Sequence, residues 1–223
     1  MKKIFSYNED INKNAYLNWR ISKYEPINNM QILANGYMQA AIELAQTCLD
    51  DNSDKKADII VFPMLFSVNQ GIELYEKAIY WSLNILLGYK KAYPDSHRIR
   101  EHWYSVKEKI KEYGFDEEAG RGENEFRYMI RVLEVYLDEL YSKIMPNGNF
   151  DMAFHNMDFS RYPLNNKVEK HFYVHESVNV VVDLENFVSV FENIFNCLDR
   201  LSGYYYQLVL DKWDSEEIEN DHS

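Results

Sequence analysis

Glycine and proline are scarce, eight and five residues in a chain of 223. Together they make about 6% of the chain, against an average usage of about 12%. So few breakers argue against a many-turned β fold and leave room for long helices. Cysteine is nearly absent. Cys48 and Cys197 stand far apart, each inside an apolar helical pattern. That excludes a disulfide framework and predicts two buried thiols. Positive charge is short as well: 24 Lys and Arg against 36 Asp and Glu leave −12. A whole-molecule field for steering onto nucleic acid is excluded, though a local patch is not. Long apolar runs are missing. The two longest uncharged stretches, Ile59 to Ile72 and Ala78 to Tyr89, have 14 and 12 residues, short of the roughly 18 of a membrane span. Lys2 and Lys3 are followed by no apolar run, so no signal peptide is expected and the chain reads as cytoplasmic, with no membrane partner. Several enzyme signatures are absent: a Gly-rich phosphate loop, G-x-S-x-G, H-E-x-x-H and paired C-x-x-C. No cofactor and no metal are expected.

Aromatic residues are plentiful: Tyr 18, Phe 12 and Trp 4. They imply large packed surfaces. Residues 1–27 show no sustained period. Tyr7, Tyr16, Trp19 and Tyr24 are scattered among polar residues, and Pro26 closes the segment, so an arm lying over the domain is expected. A domain over 28–212 follows. Its first helix runs from about Asn28 to Cys48, with Leu33, Tyr37, Ala40, Ala41, Leu44 and Cys48 on one face. The second covers about Ile59 to Tyr89 and is apolar nearly all round, which marks the central helix. Pro63 belongs in its first turn or at a kink. A third helix opens near Ser96-His97 with the stripe Ile99, Trp103, Val106, Ile110 and stops at Gly114. Residues 117–123 form a polar loop. A fourth helix spans about Glu123 to Met145, ended by Pro146-Asn147-Gly148.

Residues 146–182 change character. The runs 171–175 and 178–182 are β-branched and aromatic around Glu176-Ser177, so a small hairpin insertion is expected there. In the last helix Asp183 is a good N-cap, and Leu184, Phe187, Phe191, Ile194, Leu198, Leu201, Tyr205 and Leu208 alternate at spacings of three and four. That is a helical seam, usable within a bundle or against a second copy. The acidic tail 213–223 is expected to fray. Ile72, Trp81, Leu86, Trp103, Leu133, Phe191 and Leu198 are expected in the core. The fold class is all-α, an up-down bundle of about five helices with a small β-hairpin insertion.

Candidate chemistry is sparse. From Lys90 to Lys111 seven cations face three acids, a local +4 in a chain otherwise −16. Arg100, Lys107 and Lys111 share one helical face; Arg98, His102 and Lys109 share another. Arg98, Arg100, Lys107 and Lys111 are the candidate phosphate contacts, against the plainer reading of a solvated helix face. His171 and His175, with Glu169 in register on a strand, have a spacing a metal can use, but structural histidines are the better reading. Glu73 and Lys77, at i and i+4, read as an ion pair where the second helix meets water.

The segment from Leu65 to Ile79, with Gly71, Ile72, Glu73, Lys77, Ala78 and Ile79, is followed by Ser96-His97 opening a helix with Ile99 and Trp103. This resembles HEPN domains, in which an A-[IV]-E-x-x-x-K-A-[IL] helix precedes an H-x-[IL] helix start. The resemblance extends over about 28–208 and is specific over 65–103. It implies an up-down helical bundle that often dimerises. Many members cut RNA without metal, using an Arg and a His spaced R-x(4–6)-H near the last helix; others bind or scaffold. Here Arg98 and His102 are spaced R-x3-H on an earlier helix. Arg161 and His171, ten residues apart, are the best-placed pair. His171 would transfer the proton and Arg161 would hold the phosphate. The functional expectation is a bacterial, dimeric interaction module of a toxin or phage-defence type, with RNA or another protein as partner. The alternative is a metal-independent ribonuclease using Arg161 and His171.

Overall fold

The computed structural model describes residues 2–115, 122–144, 158–165, 168–175 and 179–221. Six helices account for most of them: α1 Pro26–Asp50, α2 Ala57–Leu86, α3 Ile99–Tyr113, α4 Glu123–Ile144, α5 Phe172–His175 and α6 Leu184–Asp221. The all-α expectation holds. The 117–121 loop, the Pro146-Asn147-Gly148 stop and the Glu176-Ser177 turn lie outside the described residues.

α2 is the hub, packed against α1, α3 and α6, while α1 and α6 also pack on each other. It is the one helix among the described residues long and apolar enough, by length and composition, to cross a membrane. In the fold its apolar surface meets neighbouring helices: Met64, Val68, Ile72, Tyr75, Ile79 and Leu83 are buried in the common core. The helix starts at Ala57 and runs through Pro63, which sits exposed in its second turn. This corrects the expected start, because the polar turn before Ala57 ends the preceding loop sooner than the proline does. Tyr75 Oη donates to Asp199 of α6 at 3.0 Å, and Tyr136 Oη of α4 donates to Asn69 at 2.6 Å.

The packing of α1 needs a second correction. Its buried line is Ile27, Ala34, Met38, Ala41, Ile42, Ala45 and Cys48, about one residue round from the expected stripe, and Leu33 is exposed. Small residues decide this. A Cβ built on Gly71 of α2 would stand 2.7 Å from Met38 Cγ and 3.2 Å from the Ala34 carbonyl oxygen. Only a helix with alanines on its contact face and a glycine opposite can approach that closely. Pro26 occupies the first turn of α1, where its missing N–H costs nothing.

α3 follows its stripe: Ile99, Trp103, Val106 and Ile110 are buried, and Gly114 at φ +99° ends it. Of the seven expected core residues, Ile72, Trp103, Leu133, Phe191 and Leu198 are buried. Trp81 and Leu86 are half-buried. They lie toward the open end of α2, where Trp81 meets Tyr93 at 5.6 Å. Both cysteines are buried.

The stretch read as a hairpin is different. Phe172–His175 forms a helical turn, residues 179–183 run without regular structure, and the one bridge among the described residues joins Leu164 to Lys170. Aromatic content misled here. Phe172 packs on Phe159, and Tyr173 on Phe62 of α2, so these rings are anchored by the bundle and need no partner strand. In α6 the Asp183 carboxylate accepts from the Asn186 N–H at 3.1 Å, as its capping role requires. Phe187, Phe191, Ile194, Leu198, Leu201 and Tyr205 are buried within this one chain. The helix continues to Asp221 through the acidic tail, which contains no glycine or proline to stop it.

Candidate functional site

Arg161 follows a single 3-10 turn over 158–160. Its Nη2 donates to Asp158 Oδ1 at 2.6 Å, and its guanidinium lies over the rings of Phe66 and Tyr162 at 5.7 and 5.5 Å. Asp158 is itself buried. His171 is buried too, and its Nε2 meets no hydrogen-bond partner among the described residues. Burial holds the imidazole below its ordinary pKa, opposed by the Asp158 carboxylate and a hydrogen bond with the Leu164 backbone. Asp158 is therefore a neighbour of both candidate residues. The pairing Asp158 to Arg161 is a clamp on the loop. A phosphate entering here would have to displace a buried carboxylate from its cation, which leaves an uncompensated charge.

The four candidate phosphate contacts, Arg98 at the N-cap of α3 and three residues on it, are each engaged. Arg98 bonds both Glu101 oxygens at 2.8 and 3.0 Å. The Arg100 guanidinium sits 4.1 Å from the Tyr141 ring centre. Lys107 pairs with Glu134 of α4, and Lys111 with Glu108 at 2.8 Å. Lys109 pairs with Glu112 and covers the Tyr89 ring at 3.4 Å. The local +4 is thus answered partly by acids outside the segment: Glu112 beside it in sequence and Glu134 on α4.

Sequence spacing pointed to Glu73 and Lys77 as a surface pair. The structure buries them between α2 and α3. Lys77 Nζ donates to Glu73 Oε1 at 2.8 Å, and the same oxygen lies 2.9 Å from His97 Nδ1. Only the His97 side chain reaches water, 81% exposed. Behind it Ser96 Oγ and His102 Nε2 are 2.7 Å apart. Glu76, fully buried, has neither oxygen partnered among the described residues; burial and the nearby Glu73 push its carboxyl well above the usual range. The residues singled out at the two ends of the 65–103 segment, Glu73, Lys77 and His97, therefore meet. Their contact ties the start of α3 to the centre of α2. Among the described residues no group of three or more His, Cys, Asp or Glu is placed to hold a metal ion.

One broad concave feature was not legible from the sequence. α4 and α6 touch lightly and splay, opening a groove of about 2080 Å³. Phe126, Val132, Tyr136, Phe187 and Phe191 lie along it, with residues 179–183 on one side. Cys197 also lines it, its thiol pushed up to about 12 by burial and so unreactive. The size exceeds the roughly 300–1,000 Å³ typical of small-molecule pockets.

No family model, curated protein or solved structure matches this chain.

Proposed function

We propose that this chain is a HEPN-like helical bundle acting as a binding module of a toxin or phage-defence type, and not as a metal-independent ribonuclease. The observation that carries the reading is the ion pair between Arg161 and the buried Asp158. A catalytic arginine must offer its charge to a phosphate; this one is committed to a carboxylate three residues away. The burial of His171 supports the same reading, as does the engagement of Arg98, Arg100, Lys107 and Lys111 by acids or an aromatic ring. What remains for function is surface shape: an apolar groove and an apolar arm.

The test is an RNA cleavage assay with the purified chain and with Arg161→Ala/His171→Ala, alongside growth on expression of each. The module reading expects intact RNA and the same growth phenotype from both proteins. Cleavage by the wild-type chain that the double substitution abolishes would reinstate the ribonuclease.

A further inference from the structure

The geometry points to His97 as a phosphoryl acceptor, its Nε2 taking a phosphoryl group from a reactive phosphoramidate. This goes beyond the binding-module reading and does not depend on it. Glu73 and Lys77 form a buried ion pair, their side chains 4% and 11% exposed. Desolvation offsets much of the attraction in such a pair, so stability alone gives little reason for it. What the pair does in this chain is hold an imidazole. The Glu73 Oε1 that accepts from Lys77 Nζ at 2.8 Å also lies 2.9 Å from His97 Nδ1. A carboxylate oxygen can only accept, so Nδ1 carries the proton of the neutral ring. That fixes the tautomer. Nε2 keeps its lone pair and belongs to a side chain that is 81% exposed.

The backbone is pinned on both sides of His97. Ser96 Oγ lies 2.7 Å from His102 Nε2, and Ile99 is fully buried. The other described histidine side chains, those of His102 and His171, are buried. His97 thus joins a fixed orientation to an open approach. Its exposure also separates an acceptor from an enzyme. A general base works on a substrate held by pocket walls, and so exposed a side chain has few walls around it. An acceptor needs none, because the donor comes from solvent. In the step itself the Nε2 lone pair forms a bond to phosphorus. The P–N bond of the donor breaks, and its electron pair leaves with the amine, which picks up a proton from water. The Nδ1 proton stays in its bond to Glu73, whose carboxylate faces the cationic ring so formed. The product suits its place in the fold. His97 precedes Arg98, the N-cap of α3, which supplies no side-chain cap, and negative charge beside a helix N-terminus is favourable.

The test is incubation of the folded chain with potassium phosphoramidate at neutral pH. Mass spectrometry maps the labelled residue, and phosphorus-coupled NMR tells Nε2 from Nδ1. The wild type is expected to be labelled on His97 before any other histidine, and there on Nε2 alone. The same chain in urea should lose both preferences, with labelling of His97 slowed by about tenfold, the low end of what an orienting carboxylate is worth to a histidine. Glu73→Leu/Lys77→Met removes the acceptor and the cation together. With its fold checked by circular dichroism, it should label His97 as slowly as the chain in urea does and give both isomers. His97→Gln should lose the early label. A folded wild type that labels His97 no faster than the chain in urea, or labels it on Nδ1, overturns the inference whatever the double variant does. So does a folded Glu73→Leu/Lys77→Met chain that keeps the rate and the isomer of the wild type.

Discussion

The α6 seam and the N-terminal arm are both rich in large apolar side chains, yet one is buried and the other lies in water. Phe187, Phe191, Leu198 and Tyr205 lie at helical spacings of four and seven, so one helix presents them all to the core of the bundle. Phe5, Tyr7, Leu17 and Trp19 follow no period, and the arm's short turn gives them no common face. Hydrophobic content is alike; geometry decides which set the monomer can use.

That contrast can be broken most severely in the seam. Phe191 is buried against Phe187 and Tyr136, at 4.5 and 4.8 Å. Phe191→Ala should lose about 3–5 kcal/mol, read from urea unfolding. Trp19→Ala, at concentrations where the chain is monomeric, should stay within about 0.5 kcal/mol. Equal losses would erase the distinction between the two regions.

Next in size is the polar junction between α2 and α3. Burial first, then the Lys77 charge, lowers His102 from 6.5 to about 4. The unfolded chain takes up this proton near pH 6.5 and the folded chain only near 4. The contribution of His102 is therefore fully present above about pH 6.5 and is lost as pH falls toward 4, by up to about 3 kcal/mol. His102→Asn should flatten that acid limb in urea midpoints taken from pH 7 to 4.5. Glu76 works in the opposite sense. Its folded carboxyl holds the proton well above 4.5, so stability falls as pH rises past the unfolded value. Glu76→Gln should gain on the wild type between pH 4.5 and 7, by about 1 kcal/mol or more. A constant difference across that range would contradict the assignment.

A comparable effect belongs to the closest approach of α1 and α2. Gly71→Ala meets Met38, which is fully buried, and should cost about 1–3 kcal/mol. Thermal unfolding checks it, and partial rescue by Met38→Ala would locate the clash. The smallest effect is expected at Lys111, whose pair with Glu108 is open to water. Lys111→Gln should move stability by no more than about 0.5 kcal/mol.

Much of this architecture is legible in the residues. The stripes of α3, α4 and α6 are amphipathic, and one face of each is apolar enough to fix its orientation. α1 is harder to read because its contact face is made of alanines, which a hydrophobic pattern ranks below Leu33 and Tyr37. The stretch at 171–182 carries strand-like residues whose rings are anchored by α2 and Phe159, a tertiary effect that local propensity cannot report. At the candidate site, the i,i+3 spacing of Asp158 and Arg161 was available and would have signalled the clamp. The meeting of His97 with Glu73 spans 24 residues, and no local spacing carries it. The groove depends on how far α4 splays from α6 and has no sequence signal.

The most direct test of the contrast between seam and arm is amide hydrogen exchange on the wild-type chain under native conditions. The account predicts slow exchange along the central turns of α2 and α6 and fast exchange throughout residues 2–25, where no residue is buried. Arm amides as slow as those of α2, or α6 amides as fast as those of the arm, would contradict it.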